Sequence, residues 1–253
     1  MRTYVINLDR ASKRLAHMRR QFDRLGISFD RIAAVDGTSL TERDLLAFRT
    51  LAQNDDRPYH WTAPEIGMFL SHKLAWSMIA SGEDQYAAIF EDDVHVSDEI
   101  AALLKDPAWI HNSADIVRFE TTLQGMRLAR NPDFQAGQMK VFRVYSGAWG
   151  AAGYVIKREI ASWLASSPPR TFGPVDWFLF HPESTVAPAL RVFQLDPAPC
   201  VQDQYHPDVH SRQNLGSNTV IPIGPVQTLK SGSRRLLSPM VRKATGRRGI
   251  PYA

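Results

Sequence analysis

The stretch Tyr86-Ala-Ala-Ile-Phe-Glu-Asp-Asp-Val94 decides how this chain is read. Its apolar run is bounded by Ser81-Gly82 on one side and by polar residues on the other, the pattern of a buried β-strand. Three consecutive carboxylates, Glu91, Asp92 and Asp93, stand at its end. Strand alternation would send Glu91 and Asp93 to one side and Asp92 to the other. The C-terminal end of a parallel strand is where open α/β sheets bind their ligands. Crowded negative charges there are costly unless a cation shares the site, and hard divalent ions prefer oxygen ligands. Taken alone, the triplet reads equally well as a solvated acidic turn.

Outward from that strand, the chain alternates strand and helix. Arg2 to Leu8 is a short apolar strand. Ala11 to Leu25 carries Leu15, Met18, Phe22 and Leu25 at helical spacing, with Gly26 as its stop. Ile27 to Val35 reads as a second strand closed by the turn Asp36-Gly37. Thr62-Ala-Pro-Glu65 is a capping box that starts a helix running to about Ala80. Ser97 is expected to cap a helix through Leu104. Further strands are expected over Asp115 to Phe119 and Lys140 to Tyr145, and Arg191 to Leu195 as the last one. Gly147 to Gly153 reads as a small, flexible loop, Tyr154 to Ala165 as partly helical, and Val175 to Phe180 as a short apolar turn or helix. This order argues for an α/β fold with a mainly parallel sheet flanked by helices.

The 253 residues, 44% hydrophobic and 22% charged, describe an ordinary globular chain with material for a substantial core. The single cysteine, Cys200, excludes an internal disulfide and a cysteine-based zinc site, which suits a reducing cytoplasm. No secretory leader or membrane-spanning run is expected. The net charge of +4 is unevenly spread. Residues 209–253 contain no Asp or Glu and hold eight of the 30 basic residues, leaving the other 22 against all 26 acidic ones in 1–208. The expected organisation is therefore one α/β domain over 1–220 and a basic tail over 221–253.

Several local patterns occur in one order. They are Tyr4-Val-Ile-Asn-Leu-Asp-Arg10 followed by Arg14, Ala34-Val-Asp-Gly37, and Gly67-Met-Phe-Leu-Ser-His-Lys-Leu-Ala-Trp76. After them come Phe90-Glu-Asp-Asp-Val94, Gly150-Ala-Ala-Gly-Tyr-Val-Ile156 and Pro174-Val-Asp-Trp177. This series resembles glycosyltransferase family 25, the bacterial lipooligosaccharide galactosyltransferases to which the collagen galactosyltransferases are related. The resemblance spans about residues 3 to 215. It implies a GT-A-like, Rossmann-like fold, a UDP-sugar donor (usually UDP-galactose), a divalent ion such as manganese or magnesium, and inversion at the anomeric carbon.

On that resemblance, Glu91 and Asp93 form an Asp-x-Asp-like pair. Asp93 is the first expected metal ligand, and Glu91 reaches either the metal or the donor's ribose. Asp92 contacts the sugar or supports the loop. Asn7, Asp9, Arg10 and Arg14 follow the first strand, where arginines can pair with phosphate or stack on a base. Arg14 also fits a helix face of solvated charges. Asp36 either accepts from ribose or base or simply makes a turn. His72 shares a helix face with Trp76 and either donates to phosphate or sugar or ties its helix to the acidic loop. Inverting transfer needs a base for the acceptor hydroxyl. Asp176 is the candidate, with holding an acceptor hydroxyl or capping a short helix as its other readings. Trp177 and Phe178 offer an apolar face for an acceptor sugar. His210 is the expected third metal ligand, Asp208 being an equally good oxygen donor.

The tail, with Leu236, Leu237, Met240 and Val241 among its basic residues, reads either as a weak anchor on an anionic membrane face or as a solvated segment. Nothing in it resembles a nucleic-acid reading motif, so nucleic acid is not an expected partner. The whole points to a transferase moving a hexose, galactose by the resemblance, to a glycolipid or oligosaccharide acceptor. A nucleotidyltransferase using the same carboxylates and an inactive glycan-binding module at the membrane are the rival readings.

Overall fold

The structure, a computed structural model, describes residues 1–53, 58–171, 173–208, 210, 212, 213, 215 and 245–253. The elements run β1 Arg2–Asn7, α1 Ser12–Arg24, β2 Asp30–Ala33, α2 Glu42–Ala52, α3 Ala63–Ala80, β3 Tyr86–Glu91, β4 Val94–Val96 and α4 Ile100–Lys105. They continue with β5 Ile116–Arg118, β6 Glu120–Thr121, β7 Met126–Ala129, β8 Phe134–Ala136, β9 Met139–Arg143, β10 Gly153–Lys157, α5 Arg158–Ser166 and α6 Val175–Phe180. β11 Val192–Asp196, β12 Cys200–Gln202 and β13 Thr245–Arg248 complete the order.

Eight strands form the main sheet in the order β2-β1-β3-β10-β5-β11-β9-β8. Only β10 and β9 run against the rest, so six of the eight point the same way. The mainly parallel α/β architecture expected from the sequence is the one observed. β3 lies beside β1 in parallel, with Ile6 opposite Glu91, and so carries the acidic triplet to the same sheet edge as the end of β1.

The sheet is covered on both faces. Ala87 and Ile89 of β3 pack with Phe69, Trp76 and Phe178 from α3 and α6. Ala88 and Phe90 pack with Met18 and Phe22 of α1 and Leu103 of α4. Each fully buried aromatic of this kind contributes about 1.5–3 kcal/mol, which fixes the register of β3 and with it the position of Glu91.

The capping box that starts α3 forms as expected. The Thr62 side chain accepts from the Glu65 N–H, and Glu65 accepts from the Thr62 N–H at 2.9 Å. A β-carbon at Gly67 would fall 2.5 Å from the Gly37 nitrogen and 2.6 Å from the Val35 carbonyl, so only glycine lets α3 press on the loop after β2. Ser71 completes that joint by accepting from the Val35 N–H at 2.8 Å.

Other expectations are corrected. Of residues 154–165, expected to be partly helical, Tyr154 to Ile156 lie in β10, between β3 and β5, and the helical part is α5 from Arg158 on. Ser97 does not cap α4, whose N-cap is Glu99 without a side-chain cap. The buried stripe of α1 is Arg14, His17, Met18 and Phe22, turned so that Arg14 faces inward. Residues 192–196 are not the last strand, because β12 and β13 follow. The tail expected over 221–253 divides: 221–244, with its basic and apolar residues, lies outside the described residues, whereas 245–253 is built into the body. There β13 pairs with β7, Ile250 is buried, and the Pro251 carbonyl accepts from the Ala198 N–H at 2.9 Å. Among the described residues no helix is long and apolar enough to cross a membrane.

Candidate active site

A pocket of about 260 Å³ opens where β1, β2 and β3 end. Seven residues singled out from the sequence line it: Arg10, Arg14, Asp36, His72, Glu91, Asp92 and Asp93. All three carboxylates of the triplet face it, contrary to the expected alternation, because β3 stops at Glu91 and the chain turns.

Each carboxylate has a different environment. Asp92 accepts from the Asn7 amide at 2.5 Å and lies 3.3 Å from the Arg14 guanidinium. Burial pushes its pKa up, and Arg14 and Asn7 pull it back. Asp93 is more fully enclosed, and its Oδ1 has no hydrogen-bond partner among the described residues. Burial, followed by the charges of Glu91 and Asp92, pushes Asp93 up to about 8. Glu91 meets the Nε2 of His72 at 3.3 Å. The Trp76 indole can only donate, and does so to the Tyr154 hydroxyl at 2.8 Å. The tyrosine proton then serves His72 Nδ1, 2.9 Å away, which leaves the Nε2 proton to face Glu91. His72 is thus a buried tie between α3 and the end of β3, one of its two expected readings.

The remaining expectations fall out as follows. Asn7 is buried and holds Asp92, while its carbonyl oxygen Oδ1 accepts from Arg31 at 2.8 Å; it supports the pocket without lining it. Asp9 is exposed and ion-paired with Arg31, away from the pocket wall. Arg10 and Asp36 pair at the rim, and Asp36 also accepts from the Thr38 N–H at 3.0 Å, so it makes a turn and lines the pocket together. Phe178 is fully buried against Phe69 at 5.0 Å and Trp76 at 6.1 Å, so it is core and offers an acceptor no face. Trp177 is half-buried, stacked on His181 at 4.0 Å and edge-on to Trp149 at 5.7 Å. Trp149, not singled out from the sequence, is the exposed aromatic beside Trp177.

His210 is exposed, with its backbone N–H donating to Asp208. Among the described residues no three His, Cys, Asp or Glu side chains meet as a ready metal site. The late residue that does reach the triplet is Asp203, whose N–H donates to the Asp93 carbonyl at 2.7 Å while its carboxylate holds His95 at 2.7 Å.

Beside the pocket lies a buried polar knot that the sequence did not disclose. Arg118 donates to the Gly150 and Trp149 carbonyls at 2.6 and 2.7 Å. Asp176 accepts from the Gly150 N–H at 3.0 Å and from the Trp177 N–H at 2.9 Å. Glu120 accepts from the Ala152 N–H at 2.7 Å, and its Oε1 is buried without a partner among the described residues. The Ala152 carbonyl in turn accepts from the Glu91 N–H at 2.9 Å, which binds the knot to the triplet. Burial raises the pKa of Asp176 and pushes Glu120 up to about 8. A carboxyl with raised affinity for protons, adjoining a pocket of carboxylates and arginines, is what proton abstraction next to an anionic ligand calls for.

Comparison with known proteins agrees with this arrangement. The sequence profile of the family described as Glycosyltransferase family 25 (LPS biosynthesis protein) matches residues 1–179, and the chain belongs to that family. It is 31% identical over 231 residues to the lacto-N-neotetraose biosynthesis glycosyltransferase LgtB of Neisseria meningitidis serogroup A, across 86% of this chain and 80% of that one. The lipooligosaccharide biosynthesis protein lex-1 of Haemophilus influenzae is 26% identical over 230 residues, covering 79% of this chain and 75% of its own. A Drosophila β-1,4-galactosyltransferase 7 mutant, solved with manganese, UDP-Gal and xylobiose, shares 13% identity and a TM-score of 0.30 over 64% of this chain and 51% of its own. That last likeness is too slight to bear on the argument.

Proposed function

We propose that this glycosyltransferase is a metal-dependent inverting enzyme that moves a hexose, galactose in the first instance, from a UDP-sugar to a sugar acceptor of a lipooligosaccharide or related cell-surface glycan. The observation that carries the reading is Asp93, an enclosed carboxylate with an unpartnered oxygen on the wall of a pocket that also holds Arg10 and Arg14. Such an oxygen is costly to bury unless a cation meets it. Asp93 and Glu91 are hard oxygen donors suited to manganese or magnesium, with the donor's phosphates completing the shell. When bound, the ion supplies positive charge where the UDP leaving group develops its negative charge.

The protein's own groups supply the rest. Arg14, held against Asp92, and Arg10 at the rim face the diphosphate. Asp36 meets the nucleoside at the end of β2. Trp177 and Trp149 receive the acceptor ring, and Asp176, whose affinity for protons is raised by burial, takes the proton of the attacking hydroxyl. The acceptor, a glycolipid in growth, is reached at the inner face of the cytoplasmic membrane, with basic residues near the C-terminus drawn to its anionic surface.

The test is UDP release from a panel of UDP-sugars, with manganese or with chelator, by the wild type, Asp93→Asn and Asp176→Asn. Manganese-dependent release from one donor is expected, falling by about a hundredfold or more in each variant. UDP affinity should drop in Asp93→Asn and be kept in Asp176→Asn. A folded protein that neither binds nor turns over any UDP-sugar with manganese present would defeat the reading.

A further inference from the structure

A second cleft, of about 530 Å³, lies beyond α6. Its polar wall consists of Arg127, Arg143, Tyr145, Ser146, His181 and Glu183. Three observations mark it as a place for a negative charge. First, Arg127 of β7 is on the wall, and across the strand pair it faces only another arginine, Arg247 of β13, which lies off the cleft with its side chain over Gly125. Among the described residues neither is in an ion pair; Arg127 donates to the Thr245 hydroxyl at 3.2 Å, and Arg247 is exposed. Second, the Arg143 guanidinium is drawn partly out of water, donating to the Leu190 carbonyl at 3.1 Å and lying 5.4 Å from the Phe193 ring, with Asp115 and Asp133 acting on it without an ion pair among the described residues. Its Nη1 is buried without a partner, and burial pulls its pKa down. Glu183 is the one carboxylate on the wall among the described residues, so the arginines outnumber it. Third, the cleft adjoins the acceptor platform. His181 lines it and stacks on Trp177 at 4.0 Å, and Asp176 lies at the other end of the same short helix.

We propose that this cleft is an anion subsite for the acceptor, taking a phosphate group carried by the glycan at a distance from the hydroxyl that reacts. The inference rests on the transferase reading and deepens it: the acceptor is an acidic oligosaccharide, not a neutral one. Paired guanidinium groups suit a phosphate because they meet its oxygens through parallel N–H donors. Arg127 and Arg143, the two arginines on the wall, then serve as the pair that the anion meets.

The test is calorimetric titration of the full chain, with UDP and manganese saturating the donor pocket, using glucose 6-phosphate, glucose and inorganic phosphate as probes. Glucose 6-phosphate is expected to bind about tenfold or more tightly than glucose, and more tightly than inorganic phosphate, the margin shrinking with added salt. Arg127→Gln should keep the fold and weaken that preference; adding Arg143→Gln should erase it while UDP affinity stays unchanged. Equal binding of the two hexoses, or a preference that survives the double variant, overturns the proposal. Vesicles of phosphatidylglycerol and of phosphatidylcholine test the other phosphate source. Arginine-dependent binding to the anionic vesicles with no preference among the hexoses would assign the cleft to lipid headgroups and overturn the acceptor assignment. If UDP fails to bind yet the arginine-dependent preference for the hexose phosphate remains, the donor reading falls and the anion subsite stands.

Discussion

Glu120 offers a direct trial of the electrostatics around the site. It is fully buried, has one oxygen on the Ala152 N–H and one without a partner, and its pKa is pushed up to about 8, first by burial and then by Glu91 and Asp93 against the pull of Arg118. In the unfolded chain a glutamate titrates near 4.3. The folded state therefore keeps a proton that the unfolded state has lost between those two values. A folded pKa above the unfolded one contributes stability that is complete below the unfolded pKa and is lost as pH rises through the folded pKa. Across that window Glu120 should cost the metal-free protein about 1.4 kcal/mol per pH unit, roughly 5 kcal/mol in all at the upper end.

Glu120→Gln mimics the protonated side chain: its carbonyl can accept from Ala152, and its amide replaces a hydroxyl that already had no partner. The variant should match the wild type within about 1–2 kcal/mol near pH 5 and be several kcal/mol more stable near pH 8. Urea unfolding followed by tryptophan fluorescence, in chelator at pH 5.5, 6.5 and 7.5, measures this difference. Parallel stability-versus-pH lines for the two proteins would refute the reasoning, because they would mean that Glu120 is ionised in the folded state throughout and held so by Arg118.

Two further outcomes follow from the geometry. Phe178→Ala should cost about 3–5 kcal/mol in thermal or urea unfolding and leave the acceptor KM of the folded fraction unchanged, as befits a core residue; a raised acceptor KM at wild-type stability would return Phe178 to the binding face. Gly150→Ala puts a β-carbon 2.4 Å from Glu120 Oε1 at a residue with φ of +83°, so a loss of about 1–3 kcal/mol in stability is expected. Because the Gly150 N–H positions Asp176, transfer should fall by about a hundredfold with UDP affinity kept; unchanged turnover would separate Asp176 from the chemistry.

Features carried by local chemistry were legible in the sequence. The strand ending in Glu91 and the capping box of Thr62 and Glu65 depend on residues close along the chain. Where the reading failed, the deciding partner was remote. The strand within the partly helical reading of 154–165 went unread because Lys157 precedes α5 without a capping side chain, leaving no mark between strand and helix. β13 contains a glycine and two adjacent arginines, and only β7 makes a strand of it. Arg14, expected to meet the donor, could equally have sat among solvated charges, because nothing near it in sequence announces Asp92. The capping box of α2, Thr41 with Asp44, was a local signal that could have been read.

The segment from Gly147 to Gly153 shows how the same residues can be read with the opposite physical meaning. Its small side chains suggested flexibility, yet five hydrogen bonds fix it: one from Gly150 to Asp176, two from Arg118, one from Ala152 to Glu120 and one from Glu91 to Ala152. Smallness here makes room. A β-carbon at Gly150 would meet the Glu120 carboxylate, and one at Gly153 would lie 2.7 Å from Cys200 Sγ. The glycines allow the backbone to approach a buried carboxyl and a buried thiol closely enough to be gripped, and the grip sets Asp176 at a fixed place relative to Glu91. Rigidity at that joint is what a positioned base requires, since a displacement of about 1 Å at a reacting group can cost a hundredfold in rate.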